Sequence, residues 1–217
     1  MKKIISIILA AALLVSVMSL TGCDMLNEIL GGTTSGGNTA TGKNTLLMEA
    51  EYTYMDDVAG AGLSDNTSGL SMIYGEATEA QKEMWSSGYY VGYMYNTATV
   101  LTFEFESSAA TTATLIFRLA CEQKDLVLTS GENLDILVNG QAQTFNFSIT
   151  KSEMSEAKFS DYRITGVNLA EGANKIEIKV LTPVGSLVDY VKVVASNASV
   201  ELSWNAREDN PSRRGGF

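Results

Sequence analysis

Residues 134–145 read LDILVNGQAQTF, and this stretch decides the fold class. In LDILV, apolar residues recur at every second position, which is the period of a half-buried β-strand. Asn139 and Gly140 come next, and both tolerate the positive φ angles of a two-residue type I′ turn. A second extended run, QAQTF, follows the turn. The stretch therefore predicts a tight hairpin, and with it antiparallel pairing of consecutive strands.

The same pattern recurs from residue 46 onwards. Short runs rich in Thr, Val, Ile, Phe and Tyr alternate with clusters of Gly, Asn, Ser and Asp, which is typical of strands and turns. Two short segments, 76–84 and 152–157, are predicted to be helical, and neither is long enough to cover a parallel sheet. We therefore predict an all-β fold, an antiparallel β-sandwich. Its nine strands are predicted at 46–51, 89–93, 100–106, 112–121, 134–138, 144–149, 162–169, 175–181 and 187–194.

Composition excludes several classes of function. The chain of 217 residues has 15 Lys and Arg against 25 Asp and Glu, and a net charge of −10 argues against a nucleic-acid partner. It contains no His, which removes Ser-His-Asp and Cys-His nucleophiles and every His-ligated zinc site. A two-carboxylate glycosidase is the common enzyme class that remains, but no acidic pair is singled out by its spacing. We therefore predict that the protein is not an enzyme.

The first 22 residues have the pattern of a secretory signal. Lys2 and Lys3 precede an apolar run of 17 residues at 4–20, and the small residues Thr21 and Gly22 follow. A transmembrane anchor is the alternative, but the run is at the lower limit for a membrane span and no basic cluster follows it. The residues LTGC at 20–23 resemble the lipobox of bacterial lipoproteins. That resemblance implies a lipidated Cys23 and an extracytoplasmic protein held at the cell membrane or cell surface.

The remaining chain divides into three parts. Residues 23–45 combine the predicted lipidation site with GGTTSGGNTATGKNT, a flexible tether with a reach of about 20 Å. Residues 46–196 form the predicted sandwich. Residues 197–217 contain a predicted edge strand at 199–204, in which Trp204 either packs on the sandwich or contacts a ligand, and then a frayed tail. Cys121 is predicted to be buried within a strand.

Two acidic residues lie close together near the start of the sandwich. Glu49 and Glu51 are two apart on a predicted strand, so their side chains share a face and their Cα atoms lie roughly 6.5–7 Å apart. Carboxylates at this distance repel each other unless they are solvated or bind a cation. The pair is either part of a solvated face or half of a cation site.

Aromatic residues crowd into residues 74–95, interleaved with Gly, Ser and Asn. Sugars stack their C–H faces on aromatic rings while polar side chains bind the hydroxyls, so such a segment suits a carbohydrate site. Strand alternation turns one set of rings into the core, so each Tyr is either structural or a ligand contact. The candidate ligand-binding residues are Trp85, Tyr93 and Asn96.

The order of elements between residues 46 and 194 resembles carbohydrate-binding modules of families 6 and 35. The resemblance rests on EAE at 49–51, SGYYVGY at 87–93 leading into VLTF at 100–103, VNLAEGANKI at 167–176 and LVDYV at 187–191. It implies a jelly roll like the galactose-binding domain and a polysaccharide or oligosaccharide partner. It also implies a structural calcium ion held by Glu49, Glu51 and Asp189. Tyr93 matches an aromatic residue that lies near the binding loops in these modules.

The sequence departs from this pattern at two places. The modules often carry a Trp where this chain has Phe159 and Tyr162, and a sugar-contacting Asn where it has Leu187. The function predicted is a non-catalytic, lipid-anchored carbohydrate-binding module on a bacterial surface, for which a separate glycan-degrading enzyme is a further candidate partner. The alternative is an adhesion or assembly protein that uses the same sandwich to contact proteins.

Overall fold

The structure, a computed structural model, describes residues 43–56, 72–74, 86, 90–92, 94, 97, 99–121, 124–152 and 158–204. Within these ranges the chain forms fourteen β-strands and one turn of 3-10 helix at Ala50–Tyr52. The strands are β1 (Thr45–Glu49), β2 (Tyr54–Asp56), β3 (Met72–Tyr74), β4 (Tyr90–Gly92), β5 (Val100–Ser107), β6 (Thr111–Cys121), β7 (Leu126–Thr129), β8 (Leu134–Val138), β9 (Gln141–Ala142), β10 (Asn146–Ile149), β11 (Ser160–Leu169), β12 (Gly172–Val180), β13 (Ser186–Ala195) and β14 (Leu202–Trp204). The predicted helical segments, apart from Ser152, lie outside the described residues.

Two six-stranded antiparallel sheets form the sandwich. The first sheet has the order β11-β6-β13-β4-β3, and β1 also pairs with β13. The second sheet has the order β14-β5-β12-β8-β9, and β2 also pairs with β5. Strands β7 and β10 form a separate two-stranded sheet. The predicted all-β antiparallel sandwich is confirmed.

Alternate residues of the long strands build the core between the sheets. In β5, the inward residues Leu101, Phe103 and Phe105 are buried, while Glu104 and Glu106 point to solvent. This alternation is the period of two that the sequence shows in each long strand. Fully buried side chains from both sheets meet in one cluster, among them Met48, Leu115, Phe117, Val191, Ile176 and Ile178. Cys121 is also buried there, as the sequence predicts.

The predicted hairpin at residues 139 and 140 is confirmed. Asn139 has a φ of 51° and Gly140 a φ of 79°, and Val138 pairs with Gln141 across the turn. Strand β9 ends after two residues, and the predicted strand 144–149 begins instead at Asn146 and pairs with β7. Strand β7 was not among the predicted strands, although β10, which has the same length, lies within the predicted run 144–149.

The two ends of the described domain meet at one end of the sandwich. The backbone of Asn44 accepts a hydrogen bond from Ala195 N at 2.8 Å, and Leu202 N donates to Lys43 O at 2.8 Å. Trp204 is buried in the core and makes an edge-to-face contact with Tyr52, with ring centres 6.5 Å apart. The packing interpretation of Trp204 is therefore confirmed. Within the described part of the chain, no helix has the length and apolar character needed to cross a membrane.

Candidate functional site

The candidate site is built around a β-bulge in strand β13. The register of β13 against β6 shifts by one residue between Val188 and Val191, so Asp189 and Tyr190 both lie opposite Arg118. A bulge changes the direction in which the side chains of a strand point. Here it leaves Asp189 fully buried while Tyr190 remains half-exposed.

The other edge of β13 has a gap at the same place. Strand β1 ends at Glu49, which pairs with Tyr190, and strand β4 pairs with β13 only through Val91 and Val188. Asp189 thus lies between the end of one neighbouring strand and the start of the next. Ser86 approaches at this level, and its backbone N–H lies 3.2 Å from each carboxylate oxygen of Asp189.

The hydroxyl of Ser86 joins two carboxylates. Its Oγ lies 3.0 Å from Asp189 Oδ1 and is also within hydrogen-bonding distance of Glu49 Oε2. A hydroxyl carries one hydrogen and can donate to only one of these oxygens at a time. One of the two carboxylate oxygens therefore receives no hydrogen bond from this hydroxyl. A proton or a cation must balance the remaining negative charge of the two carboxylates.

Glu49, Glu51 and Asp189 form what we call the carboxylate cluster. Burial, and then the charge of Glu51, raise the pKa of Glu49 to about 9. Burial also raises the pKa of Asp189 to about 7, although hydrogen bonds from Ser86 and the charge of Arg118 oppose this. Because both Glu51 and Asp189 are 0% exposed, the interpretation of these acids as a solvated face is wrong.

The predicted geometry of the Glu49–Glu51 pair needs correction. Strand β1 ends at Glu49, and Glu51 lies in the 3-10 turn, which Thr53 N closes by donating to Ala50 O at 3.2 Å. The two residues are therefore not on one strand and do not share a face through strand alternation. They come close because the chain turns, which is why the charge of Glu51 still acts on Glu49.

Arg118 and its neighbours form a second group on the other side of Asp189. Arg118 Nε lies 3.2 Å from Asp189 Oδ2, and its Nη1 lies 3.3 Å from Asp161 Oδ1. The guanidinium carbon is 5.8 Å from the centre of the Tyr190 ring, and the Tyr190 hydroxyl donates to Asp161 Oδ1 at 3.3 Å. Burial, and then the charge of Asp161, raise the pKa of Tyr190 to about 12.

Sequence reasoning missed Ser86 and Arg118 as members of the site. A signal for Arg118 was present, because it is the one charged residue in the run LIFRLAC at 115–121. A charged side chain inside a strand that is otherwise buried usually has a partner, and here the partner is Asp189. Nothing in the sequence distinguishes Ser86 from the other serines around it.

The calcium prediction is not settled by the geometry. Among the described residues, no group of three or more His, Cys, Asp or Glu side chains is spaced to hold a metal ion. The donor chemistry nevertheless suits a hard divalent cation, because all three groups of the carboxylate cluster offer oxygen atoms. The charge imbalance around Ser86 also fits a cation at this place.

The other predicted site residues lie outside the described residues. These are Cys23, Trp85, Tyr93 and Asn96. Ser86 follows Trp85 directly in the chain, and the described residues Met94 and Thr97 flank the other two candidates. Of these neighbours, Ser86 contacts Asp189 and Met94 is fully buried in the core.

Two apolar residues stand where the resembled modules often carry a Trp and an Asn. Phe159 and Leu187 are buried in a small cluster with Tyr90 and Ala120, separate from the main core. The rings of Tyr90 and Phe159 are 5.4 Å apart in an edge-to-face arrangement. The departures from the family pattern thus build a closed apolar contact next to the candidate site.

In calcium-free protein, we expect stability to fall as pH rises. The folded pKa values of Glu49 and Asp189 lie above the ordinary values of carboxyl groups, so the folded state binds protons more tightly than the unfolded state. The stabilisation that comes from this tighter proton binding is complete below about pH 4. It is lost as pH rises through the folded-state pKa values of about 7 for Asp189 and about 9 for Glu49. Thermal denaturation in EDTA should show the melting temperature falling by about 5 °C or more between pH 5 and pH 9. A flatter profile is expected for Glu49→Gln, and a melting temperature that rises over this range would contradict the prediction.

Comparison with solved structures identifies the architecture. A GH26-CBM35 β-(1,4)-mannanase from Podospora anserina matches with a TM-score of 0.52 and 16% identity, over 71% of this chain and 28% of that chain. The fold is that of a CBM6/35-like jelly roll. Family 35 carbohydrate-binding modules from Clostridium thermocellum and Paenibacillus barcinonensis match with TM-scores of 0.49 and identities of 18% and 21%. Each match covers 69% of this chain, and 96% and 98% of those chains respectively.

This chain is similar to these proteins in fold alone, because its sequence identity to each of them is below 25%. No protein-family model matches the sequence, and no curated protein matches it either. The chain spans less than a third of the mannanase that it matches, so the activity of that enzyme does not transfer with the fold.

Proposed function

We propose that this protein is a non-catalytic carbohydrate-binding lipoprotein displayed on a bacterial surface and stabilised by calcium. The jelly-roll fold supports carbohydrate binding, because solved structures with this fold include family 35 carbohydrate-binding modules. The observation that carries the proposal is the contact of Ser86 with Asp189. It places one residue of the segment rich in aromatic residues, 74–95, here called the aromatic segment, beside the carboxylate cluster.

The described residues of the aromatic segment, residues 74–95, contact the sandwich. Ser86 bonds to Asp189, Val91 of β4 pairs with Val188, and Met94 is fully buried in the core. The backbone oxygen of Met94 accepts hydrogen bonds from Val184 N at 3.3 Å and Gly185 N at 3.2 Å. Trp85, Tyr93 and Asn96 are sequence neighbours of these fixed residues, and in our proposal they bind the sugar.

Calcium is the proposed cofactor of the carboxylate cluster. Glu49, Glu51 and Asp189 would hold the ion with carboxylate oxygens, which are the ligands that Ca²⁺ prefers. When bound, it would neutralise the buried charge and join the first strand to the last long strand. The complete burial of Glu51 and Asp189 supports this proposal, because buried carboxylates are costly when no cation balances their charge.

The point where the chain enters the sandwich is compatible with a tethered domain whose candidate site is accessible. The proposed tether enters at Lys43 and Asn44, which bond to the end of β13 and the start of β14. Glu49 lies at the opposite end of β1, about 14 Å beyond Thr45 at the rise of an extended strand. The point where the proposed tether enters and the carboxylate cluster thus lie at opposite ends of β1, so attachment of the tether does not cover the candidate site.

Binding of glycan is tested with the protein lacking residues 1–23. We expect the protein to be retarded in affinity gels that contain a polysaccharide that it binds on a glycan array. The Kd should lie in the micromolar to millimolar range, which corresponds to a binding free energy of about 4–8 kcal/mol. Trp85→Ala and Tyr93→Ala should each weaken binding about tenfold or more, since each removes a stacking surface, and Asn96→Ala should weaken it less. Thermal denaturation should show that each variant remains folded.

Val127→Ala provides the control, because Val127 is 50% exposed on strand β7 and is not part of the proposed site. Binding that survives all three substitutions would place the sugar site elsewhere on the domain. Failure of the wild-type protein to bind any glycan on an array would contradict the proposed function and favour the adhesion alternative.

A further inference from the structure

The two carboxylate oxygens of Asp189 share the backbone N–H of Ser86 but differ in their side-chain partners. Oδ2 lies 3.2 Å from Arg118 Nε, while Oδ1 lies 3.0 Å from the Ser86 hydroxyl, which also reaches Glu49. Arg118 thus neutralises the buried carboxylate from one side and leaves the other side facing the remaining members of the carboxylate cluster. An arginine guanidinium keeps its charge at every accessible pH, so this neutralisation does not depend on protonation.

The bulge in β13 is the reason that Arg118 can do this. Because Asp189 and Tyr190 both lie opposite Arg118, one guanidinium contacts both side chains. Asp161 on the neighbouring strand β11 binds the same guanidinium at 3.3 Å and also accepts the Tyr190 hydroxyl. These contacts hold the guanidinium in place, and with it the orientation of Asp189.

We propose that Arg118 is the cation that neutralises Asp189 while calcium is absent, and that it competes with the ion for the charge of this carboxylate once calcium is bound. This inference rests on the calcium site proposed above. Once calcium is bound, its two positive charges also neutralise the carboxylate cluster. Arg118 and the ion would then both contact Asp189 and repel each other. Loss of Arg118 therefore costs more stability without calcium than with it.

Three variants test this role. Arg118→Met keeps the apolar stem and loses the charge, and Arg118→Lys keeps the charge. Arg163→Met removes the same charge from an exposed position on strand β11 and serves as the control. Melting temperatures are measured at pH 8.5 in EDTA and in saturating CaCl₂, and calcium affinity is measured by isothermal titration calorimetry.

In EDTA, we expect Arg118→Met to melt about 4 °C or more below Arg163→Met, with Arg118→Lys between them. In calcium, that deficit should shrink by at least half. By mass action, the same difference should appear as a calcium Kd that is several-fold lower for Arg118→Met than for wild type. If Arg118→Met does not fold, the same comparison is made with Arg118→Gln, which also removes the charge.

Two results would overturn the role of Arg118. One is a melting temperature of Arg118→Met in EDTA equal to that of the control. The other is a deficit that is equally large with and without calcium, which would make Arg118 a purely structural residue. A wild-type protein whose melting temperature ignores calcium would overturn the calcium site itself, and with it the role of Arg118 toward the ion. The comparison in EDTA alone would then still decide whether Arg118 neutralises Asp189.

Discussion

Removal of calcium is expected to lower the melting temperature of this protein by roughly 5–10 °C. The ion would bind the folded state and hardly the unfolded chain, so a hundredfold excess over its Kd adds about 2.7 kcal/mol to the free energy of unfolding. For a domain of this size, 1 kcal/mol corresponds to about 2–4 °C. The effect is large here because Asp189 and Glu51 are fully buried, and their negative charge is costly when no cation balances it.

Thermal denaturation in EDTA, followed by addition of Ca²⁺ or Mg²⁺, measures this effect. Ca²⁺ should restore the melting temperature better than Mg²⁺, because it tolerates irregular coordination by six to eight oxygens. Asp189→Ala should melt low and respond to neither EDTA nor Ca²⁺. Glu104→Ala is the matched control, because Glu104 is exposed on the opposite sheet and should leave the calcium response unchanged. An unchanged wild-type melting curve in EDTA, with no calcium by elemental analysis, would contradict the proposed cofactor.

Substitution of Cys23 is expected to abolish membrane association completely. If Cys23 carries the lipid, labelled fatty acid should appear in the wild-type protein and be absent from Cys23→Ala, which should be recovered as soluble protein. Two or three acyl chains anchor a protein far more firmly than one, so partial release of the wild-type protein is not expected. The measurement is metabolic labelling followed by membrane fractionation.

The second cysteine of the chain is the natural control for this experiment. The sequence contains two cysteines, and Cys121 is buried in strand β6, where its Sγ lies 3.0 Å from the backbone oxygen of Lys124. Cys121→Ala should therefore keep the label and the membrane association. Wild-type protein found only as a soluble species that lacks Cys23 would contradict lipidation.

Local sequence pattern was sufficient to predict the long strands. Strands β5 and β12 alternate buried with more exposed side chains over eight or more residues, and the bounds predicted for β5, β6 and β12 agree with the structure to within a few residues. The Asn139-Gly140 turn was also predicted, because both residues adopt positive φ angles at low cost. Strands β2, β3 and β7 were not predicted, whereas the equally short strands β4, β9, β10 and β14 lie within predicted extended runs.

The candidate site was predicted only in part. Asp189 was named through the resemblance to carbohydrate-binding modules, and Glu49 and Glu51 through their spacing. The spacing argument assumed that β1 continued to residue 51, whereas the chain turns after Glu49. The point at which a strand ends depends on which strand it pairs with, and β1 ends two residues earlier than predicted, where β4 pairs with the same edge of β13.

The sequence by itself determined the strands, the turn and the acidic character of this chain, because these depend on neighbouring residues and on composition. Tertiary structure alone decided that Ser86 meets Asp189 across 103 positions of sequence, and that the bulge in β13 sets Arg118 opposite both Asp189 and Tyr190. Such contacts depend on the register between strands that are distant in the chain. Register is set by the packing of the whole sandwich, since a shift of one residue moves every side chain to the opposite face.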